Sequence, residues 1–526
     1  MMISKLHLCF VAVIALAARA FAAELSFAPL FNDGLVLQCE LPVNVWGRAD
    51  AGATVTLRID DRIVARTVAD SAGAWRAVLS PRAPGGAHVL AAQSGTSVAR
   101  VSGVWFGEVW LATGQSNMVQ PLKNSEGGEA RLALTMPEVR FVKVPQRTGL
   151  PIERDFTSED LVWREFAPPQ NQQIAAVAFY FAEQIQRALG RRVGIVQSSY
   201  GGTPAQAWTP RWALEEQPSL RHYADAIREG VAAGKPKERW LHDAGALSRW
   251  KVAVAAWEKG GQSGPRPTNP GPPERGNPWH PQSPTVLFEN MIAPLVPVTT
   301  RGVIWYQGEG NAGKPEEYRV LFPAVIAAWR KEWARADWPF LFVQLAAYGA
   351  RSGDWPALRA AQAFTRDTVA HTGMAVALDC GEKEQIHPRA KQPVGERLAH
   401  LALAQVYARP VAARGPSAEK VERADGRLVV HFAHVPGGLR TGDGRAEVPG
   451  FEVAANDGQF RPVGARIVRE GKIELSGGGV PAAVSVRYAW ANWMEPPVTL
   501  RNSSDLPAEP FMLPVSGLVG KAEDGR

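Results

Sequence analysis

Long apolar runs, cysteine and one-sided charge are all scarce in this 526-residue chain. Beyond the first 22 residues no stretch approaches the roughly 18 uninterrupted apolar residues that a spanning helix needs, which excludes a polytopic membrane protein. Three cysteines are too few for a disulfide scaffold. Cys9 falls in the N-terminal apolar segment, and Cys39 and Cys380 stand near opposite ends of the chain, so two buried free thiols are expected. Neither CxxC nor HExxH occurs. The closest histidine pair, His431 and His434, sits in a strand-like run, where a spacing of three puts the rings on opposite faces. A dedicated transition-metal site is not expected. The formal charge is +7, and removing residues 1–22, with Lys5 and Arg19, leaves 56 − 51 = +5. That is too mild for the basic stripe of a nucleic-acid binder.

Tryptophan, proline and glycine are plentiful instead, at 18, 41 and 50 residues. This mix suits loop-rich β-domains and sugar-facing surfaces, although ordinary burial preferences would put most of the indoles in the core.

The N-terminus reads as an export signal. Lys5 precedes an apolar Leu8–Ala18 segment, and Ala20-Phe21-Ala22 fits a small-x-small cleavage site, so a mature chain would begin at Ala23. A periplasmic or secreted protein without membrane insertion is expected.

Residues 23–100 alternate short apolar runs with turns: 43–47, 53–57, 75–79 and 88–92. Strands of that length and spacing predict an N-terminal β-sandwich segment. From 101 to 412 the pattern becomes strand and helix in alternation. Strands are predicted at 104–113, 193–198, 302–306, 340–345 and 374–379, with helices at 174–189, 318–333, 355–369 and 392–407. This is the signature of an α/β fold, a parallel sheet covered on both faces. Residues 211–284 interrupt it with helical pieces and a Gly/Pro-dense stretch, either a lid over the sheet edge or a solvated excursion. Strands return from 413 to 526, predicting a C-terminal β-rich segment.

In open α/β sheets, function collects beyond the carboxyl ends of the strands. Four such ends carry unusual residues. Ser116, in Gly114-Gln115-Ser116-Asn117-Met118, stands at a strand-to-helix turn, where a serine is a nucleophile or merely a helix cap. Gly201-Gly202-Thr203 permits close backbone approach or simply makes a turn. Gln307-Gly308-Glu309-Gly310-Asn311 offers side-chain amides as oxyanion donors. His387 follows the last sheet strand in a carboxylate-rich loop, where an imidazole can take the serine proton and return it to a leaving group.

That order of blocks resembles the SGNH hydrolases. More specifically it is similar to the sialate O-acetylesterase family and its bacterial polysaccharide-deacetylating relatives. The matching stretches are 33–38, 109–118, 200–204, 290–295, 304–311 and 386–392, together with Arg359, Gln362 and 488–490, so the resemblance spans about 27–512. It implies a flavodoxin-like three-layer SGNH domain with accessory jelly-roll-like β-sandwiches. It further implies Ser116 as nucleophile and His387 as general base, with an oxyanion hole from the Ser116 and Gly201 N–H groups and the Gln307 amide, Asn311 in reserve. Gln115, Glu309 and Arg359 are the implied substrate contacts, and no metal or other cofactor is implied. Where relatives often carry Asp two residues before the histidine, this chain has Gln385. The wider SGNH pattern places the acid three residues before the histidine, so the resemblance implies Glu384 as the orienting acid, with Asp379 in reserve or a Ser–His dyad as the alternative.

The implied reaction is removal of O-acetyl groups from carbohydrates through an acetyl-serine. The substrate would be an acetylated plant oligosaccharide, xyloglucan or xylan, or an O-acetylated sialic acid. The Trp-rich composition and the Pro/Gly-rich insertion lean towards neutral plant glycans, and Arg359 is the candidate for a sialate carboxylate. Two other classes compete: a non-catalytic carbohydrate-binding protein, and a glycoside hydrolase using a carboxylate pair such as Glu309 and Glu384.

Overall fold

The computed structural model describes residues 24–148, 156–233, 240–241, 244–267, 277, 279–350, 352–424, 426–469, 471–498 and 500–516. The proposed signal segment, with Cys9, and part of the Gly/Pro-dense stretch lie outside the described residues.

The strand Ser97–Gly114 organises the molecule. Its first half pairs with Gly85–Ser94 in the N-terminal β-region, and its second half runs into the centre of an α/β sheet. The boundary read after residue 100 thus falls inside one unbroken strand. Across the sheet the order is Arg164–Phe166, Met136–Lys143, Val193–Ser199, Ser97–Gly114, Gly302–Tyr306, Phe340–Gln344 and Thr372–Val376. All but the antiparallel edge strand Arg164–Phe166 run parallel. Val193–Ser199, Gly302–Tyr306, Phe340–Gln344 and Thr372–Val376 are buried along their whole length, because helices cover the sheet. Ala176–Leu189 packs with Gln392–Gln405, and Pro315–Glu332 with Trp355–Thr368.

The helix ends follow local chemistry. Gly190 adopts a left-handed conformation (φ 64°) and caps Ala176–Leu189. The Asp354 side chain accepts from the Ala357 N–H at 3.0 Å and opens Trp355–Thr368. The last parallel strand ends at Val376, not at Asp379, because the chain turns into a 3-10 turn over Leu378–Cys380. Residues 211–284 contain helices Arg211–Glu216, Arg221–Ala232 and Ala244–Lys259.

Most indoles are core. Trp110, Trp208, Trp305, Trp329 and Trp338 are fully buried, and Trp305 and Trp329 stack edge to face at 5.8 Å. Those core indoles lend no support to a sugar-facing role. Cys39 and Cys380 are free and buried. Among the described residues no helix is long and apolar enough to cross a membrane.

The C-terminal region forms an eight-stranded sheet. Other segments of that region reach the histidine loop: Arg501 pairs with Asp379 at 3.1 Å and Glu495 with Lys383 at 2.8 Å. At the opposite end of the sheet, Glu108 is fully buried between Arg191 and Arg301, each 2.8 Å away. Those two cations outweigh the burial that would otherwise favour a protonated Glu108.

Candidate active site

Sheet register builds the site. Gly114 lies directly opposite Ser199 on one side and Tyr306 on the other, so three strands end at one level. The residues just beyond them, Ser116, Gly201 and Gln307, share one edge. Two main-chain bonds lock the level: Gln115 N–H to Tyr306 O at 2.9 Å and Tyr200 N–H to Gly114 O at 3.0 Å. Only glycine fits at 114, where φ is +133° and a Cβ would lie 2.2 Å from Tyr306 O.

Ser116 is half-buried and opens a helix of four residues, Ser116–Val119. A helix that short has little macrodipole, so stabilisation of an anion there rests on individual N–H groups. Gly201 is exposed beside the serine, and a Cβ on it would stand 3.6 Å from Ser116 Cβ.

The histidine loop is tied to the same turn. Asn117 Nδ2 donates to Ile386 O at 3.1 Å, joining the residue after Ser116 to the residue before His387. His387 is half-buried, and burial, then the positive charge of Lys391, hold its pKa below the ordinary imidazole value. It opens onto a polar cleft of about 370 Å³ lined also by Gln120, Asn124, Glu382, Gln385 and Arg389.

Neither carboxylate named for the orienting role is hydrogen-bonded to His387 among the described residues. Glu384 is exposed and makes no hydrogen bond to His387 among the described residues. Asp379 is held by Arg397 through two 2.7 Å bonds and by Arg501, so its carboxylate serves a structural ion cluster. Burial opposes ionisation of Asp379, and Arg397 outweighs it and keeps its pKa low.

Several side chains read as oxyanion donors or substrate contacts have hydrogen-bond partners within the fold. Gln307 is fully buried, with Nε2 committed to Asn311 Oδ1 at 2.7 Å and to Thr203 O at 3.4 Å. Asn311 Nδ2 donates to Gln206 Oε1 at 3.0 Å, and its Oδ1 also accepts from Ala205 N–H at 2.8 Å. These amides brace the 203–206 loop against the 307–311 turn. Gln115 Oε1 accepts from the Gly310 and Gly308 N–H groups at 3.0 and 3.4 Å, a further brace. Arg359 is fully buried and donates to four main-chain carbonyls, those of Leu345, Ala346, Ala491 and Asn492. It cannot meet a substrate carboxylate.

Glu309 is a half-buried residue whose carboxylate is engaged by the Ser116 turn. Its Oε1 accepts from Asn117 Nδ2 at 2.5 Å, and its Oε2 is sealed from solvent with no hydrogen-bond partner among the described residues. Burial raises its pKa. Residue-by-residue reading overlooked Asn117 and Lys391, although both lie in the quoted motifs. Lys391 is buried, donates to Asn117 Oδ1 and sits 5.6 Å from the Tyr306 ring. Burial lowers its pKa to about 8 against the pull of Glu309. A lysine placed four residues after the histidine, ahead of an apolar helix, is the signal that was available.

Among the described residues, Cys39, Glu40 and Glu108 approach closely enough to hold a cation. Arg191 and Arg301 already neutralise them, and burial pushes the Cys39 thiol up to about 12, so the donor set does not suit a metal.

Residues 274–404 match the family model described as carbohydrate esterase, sialic acid-specific acetylesterase, a span that contains His387 and Lys391 but not Ser116. Sialate O-acetylesterase of Rattus norvegicus is 30% identical over 549 residues, covering 95% of this chain and 96% of its own. The Homo sapiens sialate O-acetylesterase is 28% identical, covering 94% and 93%. A crystal structure of a carbohydrate acetylesterase from Xanthomonas citri superposes with a TM-score of 0.76 at 29% identity, covering 93% of this chain and 99% of that one. With near-complete coverage in both directions, the chain belongs to the sialate O-acetylesterase family of carbohydrate esterases.

Proposed function

We propose that this protein is a serine esterase that removes O-acetyl groups from carbohydrates through an acetyl-serine intermediate, with Ser116 as nucleophile and His387 as general base. The observation that carries the reading is the convergence at one sheet edge: Gly201 lies against Ser116, while Asn117 clasps the loop that presents His387. The strand order supports an SGNH-type three-layer domain. With Met136–Lys143 set aside, the parallel strands run second, first, third, fourth, fifth, and the serine follows the strand at which the order reverses. The β-rich regions on either side are its accessory segments, and export follows from the N-terminal signal.

Ser116 Oγ attacks the acetyl carbonyl carbon as its proton passes to His387. The oxyanion is held by the Ser116 and Gly201 N–H groups, each donor of this kind lowering the barrier by about 2.7–4 kcal/mol. The bond to the sugar oxygen breaks, and that oxygen takes the proton from His387. Water, deprotonated by His387, then attacks the acetyl-serine and releases acetate and free serine. His387 acts as the partner of a dyad, since neither Glu384 nor Asp379 meets it.

The substrate reading changes with the geometry. With Arg359 sealed in the core, Arg389 is the arginine that lines the cleft beside His387, and it suits an acidic sugar such as an O-acetylated sialic acid. Acetate release from O-acetylated sialic acid, acetylated xyloglucan oligosaccharides and acetylated xylan, with Ser116→Ala as control, tests both halves. Serine-dependent release from the sialic acid is expected. Release by Ser116→Ala at the wild-type rate would overturn the mechanism.

A further inference from the structure

The residues adjoining both reacting side chains meet in a buried charged unit that the reaction above does not use. Asn117 makes three hydrogen bonds through one carboxamide: Nδ2 to Glu309 Oε1 and to Ile386 O, and Oδ1 from Lys391 Nζ. Asn117 and Lys391 are each only 2% exposed. A neutral asparagine bonded to the main chain would suffice to join two loops. Burying a cation and a carboxylate to do it costs several kcal/mol per ion before pairing. The placement points to an electrostatic task.

The charges around the unit define that task. Facing Lys391 are Glu309 from the turn after Gly302–Tyr306, Cys380 from the 3-10 turn, and Glu382 from its own loop. The Cys380 thiol, pushed up to about 12 by burial, is neutral near pH 7. Facing His387 is Lys391, with Glu382 and Arg389 in the shared cleft wall.

We propose that Lys391, Asn117 and Glu309 form a positioning unit that fixes the Ser116 turn to the His387 loop and uses the Lys391 charge, in the absence of a triad carboxylate, to keep His387 neutral and ready to accept a proton. The same field disfavours the imidazolium once formed, so it drives the proton on to the leaving sugar oxygen. Glu309, on the far side of Asn117, moderates that field. This inference rests on the Ser116–His387 assignment.

The test is the pH profile of kcat/KM for acetate release, whose acid limb reports the general base of the free enzyme. In Lys391→Met the limb should move to higher pH, because loss of a neighbouring cation favours imidazolium. In Glu309→Gln it should move to lower pH, because the cation is then less compensated. Lys391→Arg should keep the limb near the wild-type position. The kcat of Lys391→Met should fall roughly tenfold to a hundredfold with KM little changed, the scale of a small misplacement of reacting groups. Opposite shifts in two folded variants are something a packing defect does not produce. If Lys391→Met does not fold, the Glu309→Gln shift alone decides. A fall in kcat with both acid limbs unmoved would overturn the proposal and leave a structural brace. Failure of the underlying assignment shows separately, as activity retained in Ser116→Ala.

Discussion

Thr203 Oγ1 donates to the Tyr200 carbonyl at 2.7 Å, and Trp208 Nε1 donates in turn to the same hydroxyl at 3.0 Å. The Tyr200 carbonyl and the Gly201 N–H belong to one planar peptide, so fixing the oxygen fixes the direction of the N–H. The buried threonine therefore aims the donor assigned to the oxyanion. Thr203→Val keeps the shape and removes the hydroxyl. It should lower kcat about tenfold and cost about 1–3 kcal/mol of stability, since the buried indole N–H loses its acceptor. Thr203→Ser should restore both, as read by steady-state kinetics and urea denaturation.

Gln282 tests whether the long excursion after Arg211 takes part in the site. Its Nε2 donates to Gly202 O at 2.7 Å, holding the left-handed glycine (φ +71°) that follows Gly201. Because Gln282 is partly exposed, Gln282→Ala should change stability by no more than about 0.5 kcal/mol. Its kcat/KM should nonetheless fall several-fold. An unchanged kcat/KM would reduce the excursion to a surface feature.

Gly201→Ala separates packing from chemistry. The added methyl would sit at ordinary van der Waals distance from Ser116, 3.6 Å from its Cβ, so the chain should fold with a wild-type melting curve. The methyl occupies space beside the nucleophile that an acetyl group needs. A loss of turnover of tenfold or more is expected, read as slower acetate release and slower phosphonate labelling of Ser116.

What the sequence disclosed followed local periodicity. Helices such as Trp355–Thr368 and strands such as Gly302–Tyr306 were legible from apolar spacing and end chemistry, and the serine and histidine blocks from their place at strand ends. The partners of the polar side chains were not. Gln307, Asn311 and Arg359 have the composition of site residues, but whether an amide or guanidinium faces a cleft or a main-chain carbonyl depends on packing between segments more than 100 residues apart, as Arg359 and Asn492 are. Asp379 is held by one arginine from the following helix and by a second, Arg501, from the distant C-terminal region, a pairing that local spacing does not mark.

Lys391 makes activity and stability diverge above neutrality. Its folded pKa of about 8 lies below the ordinary lysine value, so between that pH and the unfolded value the unfolded chain binds the extra proton. Stability from this group therefore rises with pH across that window, while the charge acting on His387 is lost. The kcat/KM should decline above about pH 8 in the wild type, and Lys391→Arg should carry activity to higher pH. Chemical denaturation at pH 7 and pH 9.5 should show Lys391→Met gaining most over wild type at the lower pH.

Two arginines divide the substrate question. Arg359→Leu leaves the buried Leu345 and Ala346 carbonyls without this donor and should cost about 1–3 kcal/mol for each, while the folded fraction retains the wild-type KM. Arg389 lines the open cleft, and its main-chain N–H is held by Glu382 Oε1 at 2.6 Å, so the loop keeps its shape when the side chain changes. Arg389→Gln should raise KM for an O-acetylated sialic acid about tenfold, the scale of one lost charge-assisted hydrogen bond, and leave KM for a neutral acetylated xylo-oligosaccharide unchanged. A KM that rises equally for both would assign Arg389 to general sugar contact and remove the structural support for an acidic substrate.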